Sequence, residues 1–356
     1  MASTVYQTYD PDQSYAWNYR HAPVERPEVP LTPAIPGTWT YAGLAVPSPL
    51  AVAAGPLLNG RWVLHYAALG FDVLTYKTVR SGARECYPLP NLVPVRTGMM
   101  SAGESDLPVS EEMLGSWAVS FGMPSAEPKV WREDIRWTRS QLPLEKLLSV
   151  SVVGTAESHP TLNELIRDYA QCAEWAVEAG ADCVELNLSC PNVQTCDGQL
   201  YQQPVEAAEL ARQVRLVIGS EVPLILKIGF LDSDRLLESF VEQVAPFTDA
   251  LATTNSIPST VVSPSGRRLF DGQRRGICGA ATRDASCAQV QRLSEAVRTL
   301  GVSLQLIGVG GIASCDDLHA YLRAGAESVQ IATAAMRDPG VALKIRSEWG
   351  KLADVH

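Results

Sequence analysis

The segment of this chain best suited to chemistry is a cysteine flanked by amides. Glu185-Leu186-Asn187-Leu188-Ser189-Cys190-Pro191-Asn192 sets an asparagine, a thiol and a second asparagine just past an apolar run of strand length. Asparagine carries both a donor and an acceptor, which recognition of a cyclic amide or imide requires. A thiolate is a competent general base when its pKa lies near the working pH. Lys77, Lys227 and the pair Asn255-Ser256 also close apolar runs, where polar groups are costly unless paired. Gly308-Val309-Gly310-Gly311 precedes a helix whose expected N-cap is Ser314, with Asp317 three residues on. Bare N–H groups at a glycine turn and a helix N-terminus form an anion site. Thr333 closes the next strand, so a phosphate-bearing substrate or cofactor is expected. Taken alone, Lys77 and Lys227 also fit a Schiff-base aldolase or a sugar-phosphate isomerase. The glycine turn alone also fits a non-enzymatic phosphate binder.

These residues need elements to position them. Short apolar runs occur at Leu50–Ala54, Val73–Tyr76, Leu148–Val153, Cys183–Leu186, Leu224–Leu226, Ala250–Thr254, Leu304–Gly308 and Ser328–Ala332. Their nearly all-apolar character suits parallel strands buried on both faces. Amphipathic stretches follow most of them: Arg61–Leu69, Leu162–Ala179, Val205–Ile218, Ser233–Val244, Arg283–Leu300, Ser314–Arg323 and Gly340–Leu352. Gly70, Gly180 and Gly325 stand where helices close. The alternation predicts a (β/α)8 TIM barrel, with the polar strand ends facing its C-terminal mouth. A doubly wound sheet is the competing architecture; it normally carries a Gly-rich turn after its first strand. Here that strand ends in Ala53-Ala54-Gly55-Pro56.

Two stretches break the rhythm. Pro23, Pro27, Pro30, Pro33 and Pro36 mark residues 1–40 as a Pro-rich N-terminal extension, an extended arm that wraps the domain or a partner subunit. The barrel domain is then 41–356. A long loop after the second strand, an insertion at about 80–146, lies on the face where barrel active sites are built.

The 356 residues are 46% hydrophobic and 19% charged, which provides a sizeable core and excludes a wholly disordered chain. A net charge of −10 argues against nucleic acid or an anionic membrane as the main partner. No apolar run reaches the roughly 20 residues of a membrane helix. The eight cysteines form no CxxC pair, and the five histidines do not cluster near them, so no metal site is expected. Scattered thiols without a signal pattern fit a reducing, cytoplasmic setting.

Asn187-Leu188-Ser189-Cys190-Pro191-Asn192 resembles the signature of the dihydroorotate dehydrogenase family, to which the pyrimidine-reducing part of dihydropyrimidine dehydrogenase is related. Further matches follow in family order: Ala53-Ala54-Gly55, Tyr76-Lys77-Thr78, Phe121-Gly122-Met123-Pro124, Leu226-Lys227, Thr254-Asn255-Ser256, Gly276-Ile277-Cys278-Gly279, Gly310-Gly311 and Ile331-Ala332-Thr333. The resemblance implies FMN across the barrel mouth and oxidation of a dihydropyrimidine, dihydroorotate to orotate. Cys190 would take a proton from one carbon while hydride leaves its neighbour for flavin N5. Gly310, Gly311 and Thr333 would hold the phosphate, and Lys227 the ribityl chain or the ring. Ala54, Gly55, Thr78, Asn187, Ser256 and Gly279 would line the flavin. Lys77 would lie between flavin and substrate, and Asn187, Asn192, Asn255 and Ser256 would bind the pyrimidine ring.

Cysteine as base resembles the soluble, class 1 branch; relatives there suggest a homodimer. Val119 and Ser125 stand where the family has asparagines, and Ala332 where it has a glycine. The alternative is a flavin-dependent dehydrogenase or ene-reductase acting on another cyclic amide or a specialised metabolite. The sequence leaves the electron acceptor open among fumarate, a quinone, oxygen and a partner subunit.

Overall fold

Runs of Val, Ile and Leu with no polar alternation can bury both faces only inside a closed or covered sheet. In the computed structural model, which describes residues 6–29, 31–100, 106–113, 115–155, 161–188 and 199–353, they close into a barrel. The strands are β1 (Leu50–Val52), β2 (Val73–Val79), β3 (Leu147–Val152), β4 (Cys183–Asn187), β5 (Leu224–Ile228), β6 (Ala250–Thr253), β7 (Gln305–Val309) and β8 (Ser328–Ile331). Each pairs in parallel with its sequence neighbours, and β8 closes on β1 through Val329–Leu50 and Ile331–Val52. The expected (β/α)8 barrel is the observed one.

Among the described residues eight helices of nine residues or more surround it: α1 (Gly60–Ala68), α2 (Pro128–Gln141), α3 (Leu162–Glu178), α4 (Pro204–Ile218), α5 (Asp234–Val244), α6 (Arg283–Leu300), α7 (Cys315–Arg323) and α8 (Val341–Ala353). Several starts are capped by side chains: Asn59 accepts from the Trp62 N–H, Ser233 from Leu236, and Thr161 with Glu164 forms a capping box. Gly70, Gly180 and Gly325 follow α1, α3 and α7 with φ of 91°, 103° and 103°, the left-handed closing position expected of them.

The stretch 80–146 is not loop throughout. Residues 128–141 are α2, the second barrel helix, which packs on α1, α3 and β2. Its stripe of buried residues is narrow, Trp131, Ile135 and Thr138, on an otherwise charged helix. The excursion from the barrel therefore ends near residue 127. It contributes Leu92–Pro94 and Ser116–Val119 to a four-stranded antiparallel sheet completed by Ile257–Ser259 and Arg275–Gly279. This sheet stands over the C-terminal mouth.

The opposite end is closed by a hairpin, Trp39–Tyr41 with Leu44–Val46, whose fully buried Tyr41 packs among Ala51, Val73, Ile225 and Ile307. The N-terminal arm carries one short helix, Tyr15–Arg20, before its proline-rich part. It lies along α1, where Asn59 donates to the Tyr19 carbonyl at 2.8 Å and the Trp62 indole to the Asn18 carbonyl at 3.2 Å. No helix among the described residues is long and apolar enough to cross a membrane.

Candidate active site at the barrel mouth

Parallel strands deliver every C-terminal end to one face, so residues far apart in sequence meet there. Ala54 and Gly55 follow β1, Lys77 and Thr78 close β2, and Asn187 closes β4. Lys227 lies in β5, Asn255-Ser256 follow β6, Gly310-Gly311 follow β7 and Thr333 follows β8. All of them, with Gly279 from the mouth sheet, line one cavity of about 390 Å³, within the roughly 300–1,000 Å³ of small-molecule sites. Cys190 and Asn192 lie outside the described residues.

The floor of the cavity is ionic. Lys227 donates to the Gln330 side-chain carbonyl at 2.6 Å, and its Nζ lies 3.6 Å from Oε1 of the fully buried Glu185. Gln330 in turn donates to Glu185 Oε2 at 2.6 Å and to the Tyr41 hydroxyl at 2.8 Å. Lys77 is also buried, 7% exposed, on the neighbouring side of the barrel.

Above the floor sits a cluster of amides. Asn255 donates to Asn187 Oδ1 at 3.1 Å, Asn187 donates to the Met123 sulfur at 3.4 Å, and the Ser256 N–H fixes Asn255 Oδ1 at 2.9 Å. The Asn187 carbonyl accepts from Tyr169, and Leu188 N–H from below binds the Lys227 carbonyl, so the end of β4 is held on both sides. Cys278 also lines the cavity. Burial pushes its thiol up to about 12, against the pull of Lys227 and Ser256, so it is a neutral thiol at ordinary pH.

The glycine turn is partly as expected. At Gly310, φ is +128° and a Cβ would lie 2.6 Å from Ser286 Oγ, so glycine lets the backbone approach α6. No backbone N–H of Gly310 or Gly311 is bound to another main-chain group among the described residues. The N-terminus of α7, expected to share in the anion site, does not: Asp317 accepts from the Ala313 and Ser314 N–H groups at 3.0 and 3.1 Å and pairs with Arg283. Ser314 Oγ takes the Asp317 N–H and Glu348 the Cys315 N–H, so most donors of this helix end are already used. The glycines and Thr333 remain, together with exposed Arg337 at the rim, which makes no ion pair among the described residues.

The wall is apolar, and sequence reasoning gave its residues no role. Trp117, Val119, Phe121 and Met123 line the cavity from the mouth sheet and the turn after it. Tyr9 and Tyr15 of the arm back Phe121 edge-on, with ring centroids 5.9 and 6.1 Å away. Glu185 and Gln330 were missed as well, although a polar residue inside an all-apolar strand is itself a signal. Val119 lines the cavity, whereas Ser125 instead pairs with Arg84 and accepts from the Arg80 N–H outside it.

Residues 38–352 match the family model described as dihydroorotate dehydrogenase. The chain is 32% identical over 321 residues to a dihydroorotate dehydrogenase of Dictyostelium discoideum, covering 85% of this chain and 86% of that one. It is 24% identical to the catalytic subunit of dihydroorotate dehydrogenase B (NAD(+)) of Alkaliphilus oremlandii, over 85% and 89% of the two chains. It is 29% identical to a dihydroorotate dehydrogenase (quinone) of an Acidovorax species, over 82% and 79%. Among solved structures, a dihydroorotate dehydrogenase of Eimeria tenella in complex with ferulenol shares the fold at a TM-score of 0.75 and 17% identity, covering 96% of this chain and 90% of that one.

Proposed function

Because this chain belongs to the dihydroorotate dehydrogenase family, we propose that it is an FMN-dependent oxidoreductase that oxidises the CH–CH bond of dihydroorotate to give orotate. The observation that carries the reading is the convergence of Lys77, Lys227, Asn187, Asn255 and Ser256 on one cavity at the barrel mouth. The residues present fit FMN. Gly310, Gly311 and Thr333 with Arg337 would hold its phosphate, Gly279 would lie along it from the mouth sheet, and Lys227 would meet its polar parts. When bound, FMN supplies the acceptor for the hydride.

The protein supplies the rest. Asn187, Asn255 and Ser256, with Asn192, hydrogen-bond the ring amides and fix which carbon faces the base. Lys77 neutralises the substrate carboxylate. Cys190 takes the proton from the carbon next to the one that loses hydride. Trp117, Phe121 and Met123 exclude water, which strengthens each of these polar contacts. The homodimer and the cytoplasmic setting expected from the sequence belong to the same proposal. Sedimentation of the purified protein tests the first and fractionation of the source cells the second.

The decisive experiment is an anaerobic titration of the FMN-loaded protein with dihydroorotate, followed in the visible spectrum. Bleaching of the oxidised flavin is expected. A flavin that bleaches with dithionite but not with dihydroorotate moves the substrate to another cyclic amide or a specialised metabolite. That second reading is favoured by Val119, an apolar side chain on the cavity wall. A protein that remains colourless with FMN overturns both.

A further inference from the structure

We propose that Glu185 is a positioning residue that anchors the Lys227 ammonium in the cavity floor and offsets its charge, thereby setting the electron affinity of the flavin. The inference rests on the FMN reading above. Glu185 lies in β4 two residues before Asn187, so both side chains point into the barrel. It is fully buried. Its Oε2 accepts from Gln330, while its Oε1 has no hydrogen bond and faces Lys227 Nζ at 3.6 Å. A carboxylate taken wholly out of water is as a rule no gain in stability over a neutral side chain of the same size, even when paired. Its presence under a ligand cavity therefore calls for a role other than packing.

Gln330 makes the arrangement one-way. Its carbonyl accepts a hydrogen bond from the Lys227 ammonium at 2.6 Å, and its amide donates to Glu185 and to Tyr41. Turning the amide over would press its donors against the ammonium and its acceptor against the carboxylate. Tyr41 stays a neutral donor-acceptor, because burial and the nearby Glu185 charge both push its phenol upward. Lys227 is thus held by two groups from β4 and β8 and leaves one ammonium proton for the cavity. The cation stabilises a negative charge placed on the flavin by reduction, and Glu185 opposes that stabilisation. The pair thus lets the site grip the cofactor without making its reduced anion too stable to give up electrons.

The test uses the FMN-loaded protein, Glu185→Gln, Lys227→Gln and the double variant. Two quantities are read: the two-electron midpoint potential, and the dissociation constant for sulfite, whose flavin adduct is anionic. Glu185→Gln is expected to raise the potential and tighten sulfite at least tenfold. In the Lys227→Gln background the same change is expected to do neither, since the charge it unmasks is gone. No shift in Glu185→Gln, or equal shifts with and without the lysine, overturns the proposal. A second readout needs neither flavin nor a soluble Glu185→Gln protein. Lys227→Gln leaves a buried carboxylate with no cation, a state relieved by taking up a proton. Its infrared spectrum at neutral pH is then expected to show a carboxylic-acid C=O band that the parent lacks. Absence of that band overturns the pairing. A parent that takes up no FMN overturns the flavin reading and this role with it, and the infrared result separates that failure from a failure of the ion pair.

Discussion

Two thiols bear on the proton-transfer step, and of these Cys278 lies among the described residues. Cys278 faces the cavity, but its thiol is pushed up to about 12 by burial, so almost none of it is thiolate at neutral pH. Cys278→Ser is expected to keep the rate and the pH profile of kcat/KM of the parent. A profile that loses a limb in this variant would make Cys278 the base. Cys190→Ala is expected to keep bound flavin and lose most turnover, about a hundredfold or more, the usual scale of a lost general base; survival of the full rate would overturn the assignment. At the other end of the cavity Arg337 is a cation of the rim, beside Gly310, Gly311 and Thr333. A guanidinium that reads the phosphate discriminates FMN from riboflavin. Arg337→Ala is expected to weaken FMN by roughly threefold to tenfold, the scale of a partly exposed charge-assisted contact, and to leave riboflavin unchanged. Equal losses for both would make the arginine a structural residue.

Elements were legible where their pattern is local. The eight strands and seven of the eight helices can be read from apolar runs, caps and closing glycines, because each of those signals lies within one turn or a few residues of sequence. Helix α2 was not legible: three buried positions on a charged background give too weak a stripe. The mouth sheet was not legible either, since its strands are three to five residues long and its central pairing joins distant segments, as Gly279 does with Ser116. The same division holds for the site. Polar strand ends announce themselves, whereas Trp117, Phe121 and Met123 look like core in a sequence and become cavity wall only when the sheet is assembled. Asp317 shows the limit of motif reading: the capping box that identifies the start of α7 also occupies the donors expected to bind an anion. Gly279 ties sheet to barrel, with φ +97° and an ideal Cβ only 2.1 Å from the Gly115 carbonyl oxygen. Backbone cannot yield as a flexible side chain does, so Gly279→Ala is expected to cost about 2–4 kcal/mol in urea unfolding and to lower FMN occupancy. An unfolding midpoint equal to the parent's would show that the sheet is free to shift.

The molecule as a whole joins the barrel to an arm that reaches from α8 to the mouth. Arg346 of α8 donates to the Pro33 carbonyl at 2.9 Å, and Tyr9 and Tyr15 back the cavity residue Phe121. Two residues before Tyr9 the arm is fastened by His65 of α1, whose Nε2–H donates to the Gln7 carbonyl at 3.1 Å. The other ring nitrogen, Nδ1, is buried without a partner, so protonation would place a charge where nothing receives it. Burial accordingly lowers the imidazole from 6.5 to about 4. The sign follows from linkage: the unfolded chain binds this proton first. The contribution is fully present above pH 6.5 and is lost as the pH falls from there toward 4. One such group removes about 2 kcal/mol between pH 7 and pH 5. Urea unfolding of the parent and of His65→Gln, measured at both pH values, isolates this term from other titrations, because glutamine can still donate to the Gln7 carbonyl but cannot ionise. The parent is expected to lose more stability than the variant on acidification. Equal losses would mean that the imidazole titrates as in water and that the arm stands away from α1, which would also withdraw the support that Tyr9 and Tyr15 give to the cavity wall.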